Sequence, residues 1–242
     1  ASTTATLNTG SAAFVGVESG DTVTIGVGSA SGTFADKNIG TGKTVQVSGV
    51  TKSGTDAGNY TITQPTTTAN ITAKTLTVTG ITAANRVYDA TTSATALLDK
   101  TSAALSGVES GDTVTMDHTS ATATFGDKNI GTGKTVTISG ITIDGADSAN
   151  YSLTQPTTTA NITAKTLTVS GITANNKTYN ASTTATLNTG SAAFVGVESG
   201  DTVTIGVGSV TGAFADKNIG TGKTVQVSGV TKSGGDADRK ST

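Results

Sequence analysis

The chain has no cysteine, no tryptophan and a single histidine. Without cysteine it can form neither a disulfide framework nor a thiolate metal site. A catalytic base or a metal ligand at His118 would lack partner residues, so we interpret His118 as a surface strand residue. Together these absences argue against an enzyme, and we predict no catalytic residue, no cofactor and no metal.

The chain also has little excess of either charge and no long apolar run. Charged residues make up 13% of the chain, and the formal net charge is −2. No basic stripe is present, which argues against a nucleic-acid partner or an anionic membrane surface. No apolar run approaches the roughly 18 residues of a membrane helix, so we predict no membrane insertion. Residues 1–4 lack signal-peptide character, and we expect any targeting signal of an exported parent protein to lie outside this sequence.

Threonine is abundant, at more than a fifth of the residues, and the chain contains 31 glycines. β-Branched residues that alternate with apolar ones predict strands, as in the segment 135–138, where Val136 and Ile138 share one face. The apolar phase reverses at Gly49, Gly80 and Gly140, which predicts a β-bulge at each. We predict an all-β fold with six to eight short strands per repeat and no helix.

An internal repeat dominates the sequence. The string Asp-Lys-Asn-Ile-Gly-Thr-Gly-Lys-Thr-Val begins at Asp36, Asp127 and Asp216, at intervals of 91 and 89 residues. About 90 residues suffice for a small β domain, whereas solenoid repeats are shorter. The sequence therefore predicts a tandem array of β-sandwich-like modules in an elongated rod. The predicted modules are 1–73, which lacks its opening segment, 74–164, which is complete, and 165–242, which lacks its closing segment.

Tyrosines are the best candidates for structural motif residues. With so few aromatics, we expect their rings to supply much of each small core. A tyrosine followed by a short Asx side chain can also close a turn by hydrogen bonding. An alternative is that the rings stack on a bound sugar. The candidates are Tyr60, Tyr88, Asp89, Tyr151, Tyr179 and Asn180.

Polar residues at the predicted turns allow several interpretations. Asp36, Asp127 and Asp216 are predicted to cap their own turns. A calcium site is the alternative, but too few oxygens cluster there to favour it. Lys37 and its counterparts raise the possibility of an isopeptide crosslink to a distant asparagine, Asn59 or Asn150. The segment 40–44 resembles the end of a phosphate-binding loop, but a strand pattern follows it where a helix is required.

These motifs together resemble the YDG repeat of filamentous-haemagglutinin-type exoproteins and biofilm adhesins of Gram-negative bacteria. The eponymous Tyr-Asp-Gly corresponds to residues 88–90 and 179–181, with alanine in place of glycine at Ala90 and Ala181. The Gly-Asp-Thr-Val string, the Asn-Tyr pair at 150–151 and the closing Gln-Pro-Thr-Thr-Thr-Ala-Asn-Ile-Thr-Ala-Lys also match. The resemblance implies secretion, display at the bacterial cell surface, tandem arrays and a role in adhesion, without enzymatic activity.

We therefore expect structural stalk repeats of an extracellular or cell-surface adhesin, with neighbouring repeats of the same chain as partners. The alternative is that each repeat weakly binds an extracellular polysaccharide or host-surface glycan, and that the array gains avidity. An aromatic groove repeated on one face would favour the alternative.

Overall fold

A computed structural model describes residues 2–241 and shows an all-β protein. The only helical segments among these residues are four single turns of 3-10 helix, at Ala57–Asn59, Thr95–Leu97, Ser148–Asn150 and Ala237–Arg239. None of the described helices is long and apolar enough to cross a membrane.

The strands are short and follow the sequence repeat. Those of the first repeat are β1 (Thr4–Ala5), β2 (Thr24–Gly26), β3 (Ser31–Phe34), β4 (Gly40–Ser48), β5 (Thr51–Ser53) and β6 (Thr66–Ile71). Those of the middle repeat are β7 (Lys74–Thr79), β8 (Thr82–Ala83), β9 (Arg86–Val87), β10 (Leu98–Asp99), β11 (Ala104–Ser106), β12 (Thr115–Asp117), β13 (Thr122–Phe125), β14 (Gly131–Ser139), β15 (Thr142–Asp144), β16 (Tyr151–Thr154) and β17 (Thr157–Thr163). Those of the third repeat are β18 (Lys165–Thr166), β19 (Thr168–Ser170), β20 (Thr173–Ala174), β21 (Thr184–Ala185), β22 (Leu187–Asn188), β23 (Ala193–Val195), β24 (Thr204–Gly206), β25 (Thr211–Phe214), β26 (Val225–Ser228), β27 (Thr231–Ser233) and β28 (Lys240–Ser241).

The middle repeat thus has eleven strands, more than the six to eight that we predicted. Several of the additional strands, including β8, β9 and β10, are only two residues long. Two residues cannot show a period-two alternation, so such strands leave no pattern in the sequence. The all-β prediction is confirmed.

The strands are grouped in two compact units that cut across the sequence repeats. The first compact unit contains residues 1–80, 103–120 and 140–155, and the second contains residues 81–102, 121–139 and 156–242. The middle repeat is therefore shared between the two units. Each unit is built from small sheets contributed by two successive repeats.

In the first compact unit the largest sheet has the order β1-β3-β4-β6. The long strand β4 is antiparallel to both neighbours, with Val45 opposite Phe34 and Thr67. Val45 is fully buried and packs with Ala5 and Phe34 in a small core cluster. The middle repeat adds the sheets β11-β7-β16 and β12-β15, in which β16 runs parallel to β7.

The second compact unit also has a largest sheet of four strands. Its largest sheet has the order β13-β14-β17-β9, so that β17 lies between an antiparallel and a parallel neighbour. Its core includes Tyr88, Phe125, Val136, Ile138 and Ile162, all of them 3% exposed or less. By contrast, β6, the counterpart of β17 in the first repeat, pairs only with β4.

The prediction of a β-bulge at Gly49, Gly80 and Gly140 was wrong, because each of these glycines lies between two strands of different sheets. Gly49 lies between β4 and β5, which belong to different sheets, and Gly140 lies between β14 and β15 in the same way. The glycine therefore ends one strand and redirects the chain into another sheet. Gly49 has φ of 79°, and a Cβ there would lie 2.3 Å from the carbonyl oxygen of Ser29, so only glycine fits. A register shift does occur in β4, between Gly40 and Lys43.

Candidate functional site

The repeated Asp-Lys-Asn segment forms a compact loop before the longest strand of the first two repeats. We call residues 36–38, 127–129 and 216–218 the DKN loops. In the first, Asp36 Oδ1 accepts a hydrogen bond from the backbone N–H of Asn38 at 2.8 Å and another from the Lys43 ammonium. The hydrogen bond from Lys43 lowers the pKa of Asp36. The loop is thus held by its own aspartate and by a lysine of β4.

The same bonds recur in the other two DKN loops. Asp127 accepts from the backbone of Asn129 at 2.7 Å and from Lys134 at 2.6 Å. Asp216 accepts from the backbone of Asn218 at 2.7 Å and also binds Lys223. All three predicted Asp residues therefore lie in Asx turns, and each pairs with the lysine seven residues later. No group of three or more His, Asp or Glu side chains within residues 2–241 could hold a metal ion.

A second repeated element, the Gly-Asp-Thr turn, presents a carboxylate. We call residues 20–22, 111–113 and 200–202 the GDT turns. In the second of them, the side chain of Asp112 is 2% exposed and accepts the hydroxyl proton of Tyr151 at 2.7 Å. The Tyr151 oxygen in turn accepts the backbone N–H of Glu109 at 3.1 Å. Asp147 caps the same turn by accepting the N–H of Thr113 at 2.8 Å.

Lys37 of the first repeat enters this acidic turn of the second repeat, inside the first compact unit. Its Nζ lies 2.6 Å from Asp112 Oδ1 and 2.6 Å from Asp147 Oδ1. Asn150 completes the contact, because its Oδ1 accepts the N–H of Ile39 at 3.0 Å and its Nδ2 donates to Asn38 at 3.2 Å. The DKN loop of one repeat is therefore docked on the GDT turn of the next. We call this contact the first junction.

The second junction joins the middle and third repeats inside the second compact unit. Lys128 Nζ lies 3.1 Å from Asp201 Oδ1, and Tyr88 donates its hydroxyl proton to the same oxygen at 2.9 Å. Lys240 Nζ lies 2.7 Å from Asp201 Oδ2. The amide oxygen of Asn129 accepts a hydrogen bond from Arg239 at 2.7 Å.

Arg239 and Lys240 occupy the positions of Asn150 and Tyr151, 89 residues further along the chain. Each replacement still donates a hydrogen bond to the equivalent partner. Arg239 donates to Asn129 as Asn150 donates to Asn38. Lys240 donates to Asp201 as Tyr151 donates to Asp112. Lys240 and Asp201 both have fully buried side chains, and the ammonium of Lys240 lies 3.7 Å from the centroid of the Tyr88 ring. An aromatic face stabilises a desolvated cation at this distance.

Electrostatics identify both junctions as ion pairs. Hydrogen bonds to Asp112 and Asp147 raise the pKa of Lys37, and Lys37 lowers the pKa of both carboxyl groups. Burial raises the pKa of Asp201, but hydrogen bonds from Lys240, Tyr88 and Lys128 outweigh burial and bring it to about 2. Amide formation would require a neutral amine and a protonated acid, and these shifts favour the opposite states. The groups that bind Lys37 are carboxylates, not the asparagines that we considered for a crosslink.

The YDG segment supplies Tyr88 to the second junction and forms its own turn. Asp89 Oδ1 accepts the N–H of Thr91 at 3.0 Å. Arg86 donates to the carbonyl oxygen of Ser93 at 2.7 Å, and its guanidinium stacks 4.8 Å from the centroid of Phe125. Ala90, at the glycine position of the motif, has φ of 61°.

The third repeat has the same turn with different side chains. Asn180 accepts the N–H of Ser182 at 3.2 Å, and Lys177 takes the place of Arg86 by donating to the carbonyl oxygens of Ser182 and Thr184. Ala181 has φ of 61°, like Ala90. The residue at the third position of the turn therefore has a left-handed backbone conformation in both repeats.

The four tyrosines differ in their surroundings. Tyr88 and Tyr151 are 2% and 8% exposed. Tyr60 is half-buried and donates to Asp21 at 2.6 Å, as Tyr151 does to Asp112. Tyr179 is 57% exposed. The phosphate-loop-like segment 40–44 lies within strand β4, and its lysine binds the DKN loop.

Sequence reasoning named Lys37, Tyr88 and Tyr151 as candidates but missed their acidic partners Asp112 and Asp201. Lys37 and Asp112 are 75 positions apart, and nothing in either segment shows that they meet. The available signal was joint recurrence, because the Gly-Asp-Thr and Asp-Lys-Asn strings are the most invariant parts of the three repeats. A charged residue of each sign that recurs with the repeat suggests a contact between repeats.

The fold and the junctions define a class: an all-β tandem-repeat protein whose successive repeats dock through a lysine and an acidic turn. The YDG domain matches the chain three times, at residues 1–69, 72–160 and 163–239. The chain belongs to the YDG domain family. No curated protein and no solved structure matches it.

Proposed function

We propose that these repeats form part of the stalk of a secreted or cell-surface bacterial adhesin, where they space a distal binding region from the cell. The observation that carries this proposal is the recurrence of the junction. Lys37 binds Asp112, and Lys128 binds Asp201. A protein whose repeats acted independently would not need this contact at each boundary between repeats.

The junction suits a spacer for a physical reason. A contact with several donors and acceptors fixes the orientation of one repeat on the next, whereas a Gly/Ser-rich linker would leave it free. The segments that link the repeats, 72–75 and 163–166, are short and contain no glycine. Spacing of this kind requires no bound ligand and no catalysis by the repeats themselves.

The glycan-binding alternative needs an exposed aromatic groove in each repeat. Tyr88 and Tyr151 are buried, and the hydroxyl of Tyr60 donates to Asp21. Three of the four tyrosines therefore serve contacts of the protein itself. This pattern favours the spacer over the polysaccharide-binding module.

Small-angle X-ray scattering tests the spacer. A single compact domain of this length should have a radius of gyration of about 18 Å, and this value grows slowly with chain length. For a spacer we expect a clearly larger value, with near-linear growth as copies of the middle repeat are added. A radius near that of a compact domain, or growth at the compact rate, would contradict the proposal.

Antibody labelling of intact host cells tests the surface location separately. We expect labelling of the parent protein on the outside of the cells or in the culture medium. Labelling only after the cells are lysed would exclude the adhesin part of the proposal, whatever the scattering shows.

A further inference from the structure

The first strand of the middle repeat is paired with a strand from near the end of the same repeat. Within the first compact unit, β7 runs parallel to β16, with Lys74 opposite Tyr151 and Thr77 opposite Thr154. We call these two strands the parallel pair. Because both strands point the same way, the amino end of β7 and the carboxyl end of β16 lie at opposite ends of the pair.

The chain enters and leaves the parallel pair through strands that are separated from it by only two residues. Thr72 and Ala73 separate β6 from β7, and Gln155 and Pro156 separate β16 from β17. Tension along the chain therefore pulls β7 towards its amino end, through β6, and pulls β16 towards its carboxyl end, through β17. These two pulls are opposed along the strands, so the two strands can separate only by sliding past each other.

Sliding is the more resistant of the two ways in which paired strands can separate. The hydrogen bonds of a β-ladder cross from one strand to the other. A pull along the strands therefore loads all of these bonds together, whereas a pull that peels one strand away from its end loads them one after another. Forced unfolding is governed by the unfolding rate, and this rate is lower when several bonds must break at once.

Side chains also cross the parallel pair. Leu76 is fully buried and lies opposite Leu153, which is half-buried. On the other face, the hydroxyl groups of Thr75 and Ser152 are 3.1 Å apart and share a hydrogen bond. Contacts between directly opposite side chains add to the stability of paired strands, and both of these contacts must break when the strands slide.

Glu109 holds the amino end of both strands. Its carboxylate pairs with Lys74, the first residue of β7, and its backbone N–H donates to the hydroxyl oxygen of Tyr151, the first residue of β16, at 3.1 Å. Lys74 and Tyr151 are directly opposite each other. One turn residue thus ties together the two positions at which the pair begins.

The same arrangement recurs in the third repeat. β18 runs parallel to β28, with Lys165 opposite Lys240 and Thr166 opposite Ser241. The hydroxyl groups of Thr166 and Ser241 are 3.1 Å apart, and Lys165 pairs with Glu198. The parallel pair is therefore a property of the repeat.

We propose that the parallel pair is a mechanical clamp, which makes the repeats resistant to tension along the chain. The proposal deepens the spacer function proposed above and rests on it for the source of the tension, because a stalk is stretched when the cell and the attached surface are pulled apart. The resistance itself follows from the direction of the two strands and from their connections to β6 and β17.

Single-molecule force spectroscopy on the full chain, with anchors at chosen residues, tests the clamp. The chain has no cysteine, so two introduced cysteines provide unique attachment points. Thr72→Cys with Thr157→Cys pulls the amino end of β7 against the carboxyl end of β16, which loads the pair by sliding. Thr79→Cys with Thr157→Cys holds both strands at their carboxyl ends, which loads the same pair by peeling. All three threonines are exposed, so the anchors should leave the fold intact.

At equal pulling speed, we expect the unfolding force to be at least about twofold higher with the sliding anchors, because four residue pairs share the load. Leu153→Ala should lower this force by weakening the pair. Ile143→Ala is the matched control, because Ile143 is also half-buried in the first compact unit but lies in β15, outside the pair. It should lower the sliding force less than Leu153→Ala does.

Two results would overturn the clamp. The unfolding force could be equal for the two anchor geometries, or Ile143→Ala could lower the sliding force as much as Leu153→Ala. Neither result would bear on the spacer, which the scattering measurement tests. Conversely, a compact radius of gyration would contradict the spacer and leave the difference between the two pulling geometries unchanged.

Discussion

The two junctions make the same contact between successive repeats with partly different residues. The first places a half-exposed lysine between two carboxylates, beside a tyrosine and an asparagine. The second buries one carboxylate completely and surrounds it with two lysines and a tyrosine. What the two share is a carboxylate of the GDT turn that accepts from a lysine of the preceding repeat. The neighbouring residues can be replaced as long as the replacements still donate a hydrogen bond.

The difference between the junctions lies in the burial of a cation, since Asp112 and Asp201 are 2% and 0% exposed. Lys37 keeps 30% of its side chain exposed, and Asp147 keeps 16%. Lys240 and Asp201 keep none. A solvated pair tolerates the loss of one partner, because water can replace it, whereas a buried pair does not. The same substitution should therefore have unequal effects at the two junctions.

The largest effect is expected for Asp201→Asn. The change leaves the buried ammonium of Lys240 without a counter-charge, which typically costs about 3–5 kcal/mol. Asp112→Asn is the matched variant at the first junction and should cost less, because Lys37 is partly solvated and retains Asp147. Urea denaturation of both variants measures the difference. Equal losses would show that burial does not distinguish the junctions.

Tyr88→Ala should be nearly as severe. Tyr88 is 2% exposed and contributes both a core ring and a hydrogen bond to Asp201, and truncating a buried aromatic costs about 3–5 kcal/mol. Its counterpart Tyr179 is exposed, so Tyr179→Ala should change stability by no more than about 0.5 kcal/mol. Thermal melting of the two variants provides the comparison. If Tyr179→Ala were equally damaging, the two repeats would have to be packed alike.

Much of the fold was predictable because it depends on local pattern. The alternation around Val136 and Ile138 marked β14, and the recurring strings gave the period. The Asx turns at the DKN loops followed from an aspartate two residues before its backbone donor. In each case the relevant residues are neighbours in sequence.

The junctions and the grouping into compact units were not predictable, because they depend on contacts between repeats. Tyr88 and Asp201 are 113 residues apart, and only the folded chain brings them together. The middle repeat looks like one continuous module in the sequence, yet the structure divides its strands between two units. The repeat period gives the length of the repeated sequence. It does not show at which residue a folded unit begins.

The two junctions are expected to differ less in how their contribution to stability depends on pH. Asp201 has a folded pKa of about 2, below the ordinary value of an aspartate, so its ionised form stabilises the fold. That stabilisation is complete above the pKa of the unfolded chain, near 4, and is lost as the pH falls towards 2. Asp112 and Asp147 shift in the same direction, because Lys37 binds both.

We expect Tm to fall between about pH 4 and pH 2, and the fall to be smaller in Asp201→Asn, which removes one of the titrating groups. Differential scanning calorimetry across this range measures both curves. Parallel curves for the variant and the unmodified chain would show that Asp201 does not contribute to acid sensitivity.

The smallest effect concerns the third position of the YDG turn, where the two repeats agree. Ala90 and Ala181 both have φ of 61°, in the left-handed region where an L-residue is strained by roughly 1–2 kcal/mol. Glycine removes this strain but increases the entropy of the unfolded chain, so Ala90→Gly should stabilise the protein by a net amount of about 0.5–1 kcal/mol. Ala181→Gly should act in the same direction, and Ala84→Gly, at a residue without positive φ, serves as the destabilising control. Thermal melting of the three variants decides between strain and entropy at this position. A lower Tm for both Ala90→Gly and Ala181→Gly would show that the turn accommodates the alanine methyl group without strain, and the glycine in the name of the motif would then need a different physical explanation.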